Sequence, residues 1–253
     1  MKIYAHPASQ PSRAVIWACV MQALPIELIP NTTPVSSINP RGQLPCIDDD
    51  GFRLTEMPAI LMYLAGKYGW TDLYPTDLRR RARIDQYLHA HHNLTRLATT
   101  QLMAPHVLRA FAQPPLDNPL SFISNLCIGA AMESPSGLKD GQAQLTHVVG
   151  YIERHYLNDG DFIASNDHPT IADLACYEEL GQLVSAELFD FSVHPQVVDW
   201  MQRMAKLPGH EVVHRYNQKL GDIRTTANNM ARFSAAIQVA LDSLAEVPTV
   251  TLS

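Results

Sequence analysis

The sequence predicts an α+β protein of two domains, a small mixed sheet domain followed by an all-helical domain. Strand-like and helix-like segments alternate through the first third in the order β-α-β, loop, β-β-α. No convincing strand pattern follows Asp77, whereas helical apolar spacing recurs. A polar, proline-containing link at residues 74–77 separates the two parts. We therefore expect a sheet domain at 1–76, a helical domain at 77–222 and a C-terminal helical extension at 223–253.

The first domain opens with a strand over Lys2–Ala5. Prolines at 7 and 11 predict a turn or loop, and a helix follows over Ser12–Ala23, where apolar residues recur at helical spacing. A second strand is expected over Ile26–Ile29. A connection through a helix places these two strands parallel in one sheet.

A hairpin completes the predicted sheet. The segment Pro30–Arg41 is loop-like, and the strands Cys46–Asp48 and Arg53–Thr55 follow it. They flank Asp50-Gly51, which is a strong hairpin signal. Pro58 fits the first turn of a helix that runs to about Lys67, because its missing N–H is harmless there. The sheet is expected to have one parallel part and one antiparallel edge.

The second half is predicted to be helical. A long helix spans Arg79–Phe111 with a break or kink at Pro105, and a loop with a short helical piece covers Gln113–Leu138. Within the later helices, Thr170 and Asp173 form a capping box, which is a structural feature. Five further helices are expected, at Asp140–Tyr156, His168–Leu188, Pro195–Lys206, His210–Lys219 and Arg224–Leu244.

Composition excludes several classes of protein. The 253 residues are 46% hydrophobic, which supplies a packed core, and the net charge of -6 leaves no global basic field for nucleic acid. The short arginine cluster at 79–83 is expected to be a solvated helix start or a dimer contact. Mean hydropathy is -0.09, and no apolar run approaches the ~18–20 residues that span a bilayer. We therefore expect neither a nucleic-acid nor a membrane partner.

Targeting and cysteine patterns indicate an intracellular chain. The first residues lack the apolar stretch of a secretory signal, which favours the cytoplasm. The four cysteines lie far apart without a CxxC motif, so free thiols are expected. His89 and His92 share a helix face, but no third ligand is evident, so no metal site is expected.

Three segments together resemble the glutathione S-transferase family, in particular its theta class. They are Ser9-Gln10-Pro11-Ser12-Arg13-Ala14, the stretch Asn39-Pro40 to Leu44-Pro45 with Glu56-Met57-Pro58-Ala59-Ile60 after the hairpin, and Thr170-Ile171-Ala172-Asp173. The resemblance covers roughly residues 1–220. It implies a thioredoxin-like first domain that binds glutathione, a helical domain that holds a small apolar electrophile, and a homodimer. The implied reaction is conjugation, with reduction of organic hydroperoxides as a further activity; glutathione is the cosubstrate and no cofactor is needed.

By this resemblance Ser9 is the catalytic residue. Only a thiolate attacks electrophiles, and a hydroxyl that donates a hydrogen bond to sulfur lowers the thiol pKa from its usual ~8.5. The alternative is that Ser9 or Ser12 only caps the helix, with Ser12 the preferred cap. Tyr4 is another hydroxyl, although it lies inside a strand. Arg13 is expected near the site as an electrostatic helper and as one of the residues that bind glutathione.

The resemblance also assigns the glutathione contacts. Pro45 is expected to follow a cis peptide bond, with Leu44 offering its backbone to the cysteinyl part; an ordinary trans proline is the alternative. Glu56 and Met57 are expected to hold the γ-glutamyl group. Met57 replaces the usual serine, so one hydrogen bond of ~0.5–1.5 kcal/mol is lost. The segment between Ile26 and Asn39 is short and lacks the usual cation.

The long helix is expected to line the acceptor pocket. Its candidate contacts are Tyr87, His91, Thr95 and Met103, although the same residues could merely fill helix packing. Phe233, Ile237, Leu241 and Leu244 recur at helical spacing in the tail, which predicts an amphipathic helix that either covers the pocket or braces the helical domain. The competing hypothesis for the whole chain is a non-catalytic protein that binds hydrophobic ligands or a protein partner and has lost affinity for glutathione.

Overall fold

The computed structural model describes residues 1–30, 35–110, 141–226 and 230–253. Its first part contains four strands, two α-helices and one short 3-10 turn. They are β1 (Lys2–Tyr4), α1 (Gln10–Met21), β2 (Ile26–Ile29), a short 3-10 turn (Val35–Ser37), β3 (Cys46–Asp49), β4 (Phe52–Thr55) and α2 (Met57–Tyr68). The predicted order β-α-β, loop, β-β-α is confirmed.

The sheet has the predicted mixture of directions. β1 pairs parallel to β2 and antiparallel to β3, and β3 pairs antiparallel to β4. Asp50 and Gly51 join β3 to β4 with φ values of 54° and 90°, as a two-residue turn of the type I′ kind requires. The Gly51 N–H donates to the carboxylate of Asp48 at 2.8 Å. The hairpin predicted from this dipeptide is confirmed.

Helix α1 begins at Gln10, not at the predicted Ser12. Pro11 occupies the first turn, where its fixed φ suits the helix and its missing N–H costs nothing. The residue that caps the helix is Ser9, so the expectation that Ser12 is the cap is wrong. The Ser12 hydroxyl is instead buried within the protein.

In its described residues, the second part of the chain is helical up to the last few positions. Of the break or kink predicted at Pro105, the break is wrong, because helix continues across that position. The long helix is interrupted instead by a π-helical turn at His92–Arg96. The predicted loop at 113–138 lies outside the described residues. The helices are α3 (Leu78–His91), α4 (Leu97–Ala110), α5 (Gly141–His155), α6 (Ile171–Ser185), α7 (Pro195–Met204), α8 (His210–Val213), α9 (Arg215–Leu220), α10 (Ile223–Thr226) and α11 (Met230–Ala245).

The expectation of no strand after Asp77 is wrong. Val250–Leu252 forms β5, which pairs parallel to β2 and gives the strand order β4-β3-β1-β2-β5. The tail is therefore a helix followed by a strand that joins the first sheet. A three-residue strand carries too little sequence pattern to be recognised on its own, and its partner is distant in the chain.

One hydrophobic core connects the sheet to the helices. Helix α1 packs between α2 and α6, and the fully buried ring of Trp17 meets Tyr177 edge-on with ring centroids 5.4 Å apart. The capping box at the start of α6 is confirmed: Thr170 accepts from the α6 backbone, and Asp173 accepts from the Thr170 backbone. The division at residue 76 stays a prediction. Among the described helices, none combines the length and apolarity that a bilayer crossing requires.

The three described cysteines are unpaired and buried. This agrees with the expectation of free thiols for Cys19, Cys46 and Cys176; Cys127 lies outside the described residues. Burial raises the pKa of Cys19 to about 12 and that of Cys46 to about 11. Because only a thiolate is a good nucleophile, these cysteines are structural side chains.

Candidate active site

Ser9 lies at the junction between β1 and α1. It is the N-cap of α1, and its Oγ accepts a hydrogen bond from the Ser12 N–H at 3.4 Å. Its exposed fraction is 4%, so the hydroxyl is shielded from bulk water. A cap uses the oxygen only as an acceptor, which leaves the hydroxyl proton able to donate to another group.

The loop that carries Ser9 is folded back on His6. The Ser9 N–H donates to the His6 carbonyl at 2.9 Å, and the Ala8 N–H donates to His6 Nδ1 at 3.2 Å. Burial lowers the pKa of His6 to about 4. The imidazole is therefore neutral near pH 7, and its Nδ1 is an acceptor as this loop requires.

Three short segments meet at one edge of the sheet. Tyr4 at the end of β1 pairs with Cys46 at the start of β3, and Cys46 pairs with Thr55 at the end of β4. Because these residues lie side by side, the segments adjoining them also converge. The predicted residues that this topology brings together are Ser9, Leu44, Pro45, Glu56 and Met57.

The Leu44–Pro45 peptide bond is cis, as the resemblance implies. The turn before it is organised by the buried side chain of Asn39, which donates to the Gln43 carbonyl at 2.7 Å and accepts from the Arg41 N–H at 3.0 Å. Gly42 has a φ of 66°, a left-handed conformation that suits glycine. Leu44 therefore follows an ordered turn, which fixes the direction of its backbone at this edge of the sheet.

Glu56 has a strained backbone. Its φ is 69°, a region that non-glycine residues rarely adopt and that costs on the order of 1–3 kcal/mol. Its carboxylate makes no cap bond to α2 and pairs instead with Arg41 at 3.3 Å. Met57 begins α2 with a buried side chain, and its N–H is one of the first-turn groups that have no partner within the helix. Strain of this kind is concentrated at functional sites.

The helical part reaches this edge through its π-helical turn. Partial burial and the charge of Arg96 lower the pKa of His92, and the charges of Glu56 and Arg41 act on the same imidazole from the sheet side. Sequence reasoning considered His92 only as a metal ligand. Within the described part of the chain, no three His, Cys, Asp or Glu side chains are grouped for a metal ion.

Arg13 adjoins the Ser9 loop, but its guanidinium is turned into the interior. The side chain is fully buried and pairs with Glu178 on α6, with Nε 2.6 Å from Oε2. Its Nη1 donates to the Pro7 carbonyl at 3.0 Å. This geometry does not support the expectation that Arg13 contacts glutathione, because the guanidinium is paired with the buried carboxylate of Glu178.

Three of the four expected acceptor contacts lie in the interior of the helical part. Tyr87 and Thr95 are fully buried, and their hydroxyl oxygens are 3.0 Å apart. His91 lies 3.4 Å from the same tyrosine oxygen, and burial followed by the charge of Arg96 holds its pKa well below the usual value. These residues fill helix packing, the alternative left open by the sequence.

The fourth residue, Met103, is different because it is only partly buried. It packs against an apolar cluster that includes Phe233 of α11, and Ala8, the neighbour of Ser9, packs against the same cluster. The tail helix and the loop that carries Ser9 therefore pack against the same apolar cluster. A separate cavity of about 650 Å³ lies between α6 and α7 and is lined by none of the predicted site residues.

Sequence reasoning missed the acidic residues of α6. Glu178 and Glu179 are 1% exposed and lie in the middle of a largely apolar helix. The available signal was two adjacent charges within the predicted helix His168–Leu188, since carboxylates are almost never fully buried without partners. Their partners are distant in the chain, so the sequence did not identify them.

The chain is similar to curated transferases over most of its length. It is 31% identical to glutathione S-transferase T1 of Arabidopsis thaliana, covering 85% of this chain and 87% of that protein. It is 30% identical to glutathione S-transferase theta-3 of Mus musculus, covering 84% and 88%. Against Arabidopsis glutathione S-transferase T3 the identity is 32%, but the chain spans only 36% of that relative's length. No family model matches the chain.

Solved structures agree with these relatives. Human glutathione transferase theta-2, in complex with glutathione and an unknown ligand, matches with a TM-score of 0.72 and 25% identity, covering 98% of this chain and 99% of that chain. The apo form of human glutathione S-transferase T1-1 matches with a TM-score of 0.69 and 25% identity, covering 96% and 98%. The similarities in fold and in sequence are therefore to the same group of proteins, the glutathione transferases.

Proposed function

The chain belongs to the glutathione S-transferase family and resembles its theta class, and from this membership we propose that it conjugates the glutathione thiolate to small apolar electrophiles. Glutathione is the cosubstrate, and the reaction needs no cofactor. In a substitution, the thiolate sulfur forms a bond to an electrophilic carbon, and the leaving group departs with its bonding electrons. In an addition, the sulfur bonds to one carbon of a double bond, the π bond breaks, and its electron pair takes up a proton from the solvent, which replaces the proton that the thiol lost.

The geometry of Ser9 carries this proposal. Its Oγ accepts from Ser12 at 3.4 Å at the start of α1, which leaves the O–H proton to be donated to sulfur. A donated hydrogen bond and the positive end of a helix both favour a thiolate over a thiol. Each unit of lowered thiol pKa corresponds to about 1.4 kcal/mol. Ser9 is the catalytic residue in this scheme.

The adjoining segments are assigned to the rest of glutathione. Leu44, with Pro45 fixing its backbone, offers N–H and C=O to the cysteinyl part. Glu56 offers a carboxylate to the γ-glutamyl ammonium, and the Met57 N–H pairs with the γ-glutamyl carboxylate. The exposed Arg41, now paired with Glu56, is a cation within reach of a bound carboxylate. Ligand binding therefore competes with a solvent-exposed ion pair, which is a weak one.

The electrophile is assigned to the face between the Ser9 loop and the tail. Ala8, Met103 and Ile237 are partly buried and pack against one apolar cluster that contains the buried Phe233, and Ala8 is the chain neighbour of Ser9. An apolar surface next to the sulfur position favours apolar acceptors, because their burial removes hydrocarbon from water. Met103 is the acceptor contact retained from the long helix.

Calorimetry and steady-state kinetics test the function. Glutathione titrated at millimolar concentration is expected to release heat with the wild-type chain and to do so with Ser9→Ala, because Ser9 contributes only one of several contacts. Conjugation of a panel of apolar electrophiles is expected for the wild type and to be lost for Ser9→Ala. Normal turnover by Ser9→Ala would remove Ser9 from the mechanism, and no heat with the wild type would reject the function.

A non-catalytic binding protein is the second candidate. Glu56 already has a partner in Arg41, and Met57 brings no hydroxyl, and both features weaken a glutathione site. This candidate predicts binding of apolar ligands without turnover. The same assays should include an organic hydroperoxide, which an active thiolate reduces to the alcohol and water while two glutathione molecules are oxidised to the disulfide.

We assign a homodimer to the protein on the strength of its exposed apolar side chains. Phe52 on the β3–β4 hairpin is 50% exposed and Leu78 at the start of α3 is 77% exposed. Sedimentation is expected to give twice the chain mass, and Phe52→Ser is expected to shift the equilibrium toward monomer. A wild type that sediments as a monomer would contradict this assignment.

The cytoplasm is the compartment we assign. Cys19, Cys46 and Cys176 are unpaired, and unpaired cysteines persist in reducing compartments. Fractionation of cells expressing the natural chain tests the assignment. Recovery with a secreted or organellar marker would contradict it.

A further inference from the structure

We propose that Arg13 and Glu178 are positioning residues that hold the Ser9 loop in place from the helical part of the molecule. The proposal rests on the function assigned to Ser9 and adds to it a pair that does not contact glutathione. Neither residue touches the reacting sulfur in this scheme. Both act through the backbone of the loop.

The loop is tied to Arg13 by its carbonyl groups. Arg13 Nη1 donates to the Pro7 carbonyl at 3.0 Å, and the Arg13 backbone N–H donates to the Ser9 carbonyl at 2.9 Å. One residue therefore holds the loop on both sides of Ala8. The direction of the Ser9 hydroxyl depends on this backbone, because the hydroxyl has only one short side-chain torsion of its own.

Glu178 fixes the other side of the guanidinium. Its Oε2 lies 2.6 Å from Arg13 Nε, and its backbone carbonyl accepts from Nη2 at 3.4 Å. Both side chains are 1% exposed. Burial works to raise the pKa of Glu178, but the charges of His214 and Arg13 outweigh it and hold the pKa below its usual value. The carboxylate thus stays ionised and keeps the guanidinium in one orientation.

A third residue, His214, completes the arrangement. Its Nε2 lies 3.0 Å from Glu178 Oε1, and its Nδ1 lies 2.7 Å from the His210 carbonyl, the position of a donor to that oxygen. The ring meets Trp17 of α1 edge-on with centroids 4.8 Å apart. Both oxygens of Glu178 therefore face cationic or polar partners from two different elements, which restricts its rotation.

The neighbouring residue Glu179 provides a matched control. It stands on the same helix with the same 1% exposure, and its oxygens bind Arg96 at 2.7 Å and Thr99 at 2.6 Å. These partners belong to the helical part, and within the described residues neither side chain hydrogen-bonds to the Ser9 loop. Removing either carboxylate leaves a paired arginine without its counter-charge, so both losses destabilise the fold. Only the loss of Glu178 is expected to disturb Ser9.

The experiment compares Glu178→Gln with Glu179→Gln in the full chain. The pKa of enzyme-bound glutathione is measured from the ultraviolet absorbance of the thiolate as a function of pH, together with kcat and KM. Glu178→Gln is expected to raise that pKa by about one unit and to lower kcat about tenfold at a pH below it, with KM for glutathione nearly unchanged. Glu179→Gln is expected to lose comparable stability in urea while keeping the wild-type thiol pKa.

A second variant guards against a misfolded first one. Arg13→Lys keeps the buried positive charge beside Glu178 but cannot span both the carboxylate and the Pro7 carbonyl, because an ammonium lacks the guanidinium fork. It is expected to fold and to raise the thiol pKa as Glu178→Gln does. An unchanged thiol pKa in both variants, or an equal rise in Glu179→Gln, would overturn the positioning role and leave Ser9 in place. A wild-type complex whose thiol titrates as free glutathione does would overturn the function of Ser9 as well.

Discussion

Two regions were predicted to hold substrate: the edge of the sheet and the inward-facing residues of the long helix. They differ in how far their polar groups are already bonded within the protein. At the sheet edge, Ser9 uses its hydroxyl oxygen as a cap and keeps its proton, and Glu56 makes only an exposed ion pair. In the helix, the Tyr87 hydroxyl lies against Thr95 and His91. A group with unused bonding capacity can receive a ligand, whereas a group whose bonds close on its neighbours holds the fold together.

The largest expected effect breaks the sheet-edge side of this comparison. Ser9→Ala is expected to lower kcat about 100-fold, as removal of a single donor to a developing or resident anion does elsewhere. It also removes a helix cap, which costs about 1 kcal/mol of the free energy of unfolding. Kinetics and urea unfolding separate the two effects.

Ser9→Thr is the control for that substitution. Threonine keeps both the cap and the hydroxyl, so it should restore most of the stability and part of kcat. If Ser9→Ala and Ser9→Thr turn over equally, the hydroxyl has no chemical role and Ser9 is a cap alone.

Acid tests the loop that holds Ser9. The folded-state pKa of His6 is about 4, below the value of about 6.5 expected in the unfolded chain. Between these values the unfolded state binds more protons, so stability falls as pH drops from 6.5 to 4 and levels off below. His6 alone accounts for a loss on the order of 3 kcal/mol. His210, with a pKa lowered to about 4 by burial, acts in the same direction.

His6→Asn is the matched variant for the acid experiment. Asparagine has no titration in this range, and its side-chain oxygen can accept from the Ala8 N–H in place of Nδ1. The difference in unfolding free energy between the wild type and His6→Asn should therefore change with pH between 6.5 and 4. A difference that stays constant over this range would show that His6 does not titrate as described.

Glu56 offers a smaller effect with an internal check. Glu56→Gln keeps the shape and removes the charge, so KM for glutathione is expected to rise about tenfold with kcat little changed. Glu56→Gly relieves the positive φ of 69° and is expected to stabilise the fold by about 1 kcal/mol while weakening glutathione binding equally. A glycine variant that binds glutathione normally would exclude the carboxylate as a ligand.

The smallest expected effect sharpens the helix side of the comparison. Tyr87→Phe removes one buried hydroxyl and should cost about 1 kcal/mol in unfolding free energy without changing KM for the electrophile. Met103→Ala, at the partly buried face near Ala8, should instead raise that KM severalfold. A raised KM in Tyr87→Phe would return Tyr87 to the acceptor pocket.

Local sequence signals predicted the local structure well. Asp50-Gly51 specified a tight hairpin and Thr170 with Asp173 specified a helix start, because in each case the bonded groups are neighbours in the chain. Ser9 was chosen by resemblance, and its position at a helix start followed from the strand before it and the helix after it. Such features depend on a few consecutive residues, so they can be predicted from a short stretch of sequence.

Side-chain contacts between helices that are distant in the chain were not predicted. The side on which Tyr87 and His91 project depends on how α3 packs against α6, which apolar spacing alone leaves undetermined. The partners of Glu178 come from α1 and from the segment after α8. For the same reason Arg13 was assigned to the substrate when its counter-ion lies inside the protein.

The last strand, β5, pairs with β2, which is synthesised much earlier. The Ile26 N–H donates to the Thr249 carbonyl at 2.8 Å, and the Ser253 N–H donates to the Leu28 carbonyl at 3.1 Å. During translation β2 therefore leaves the ribosome with one side unpaired, and its partner β5 is made only after almost all of the remaining chain. An unpaired strand side recruits other strands, so the nascent protein passes through a stage prone to self-association. A chaperone that shields Ile26–Ile29 until residues 250–252 emerge would shorten that stage.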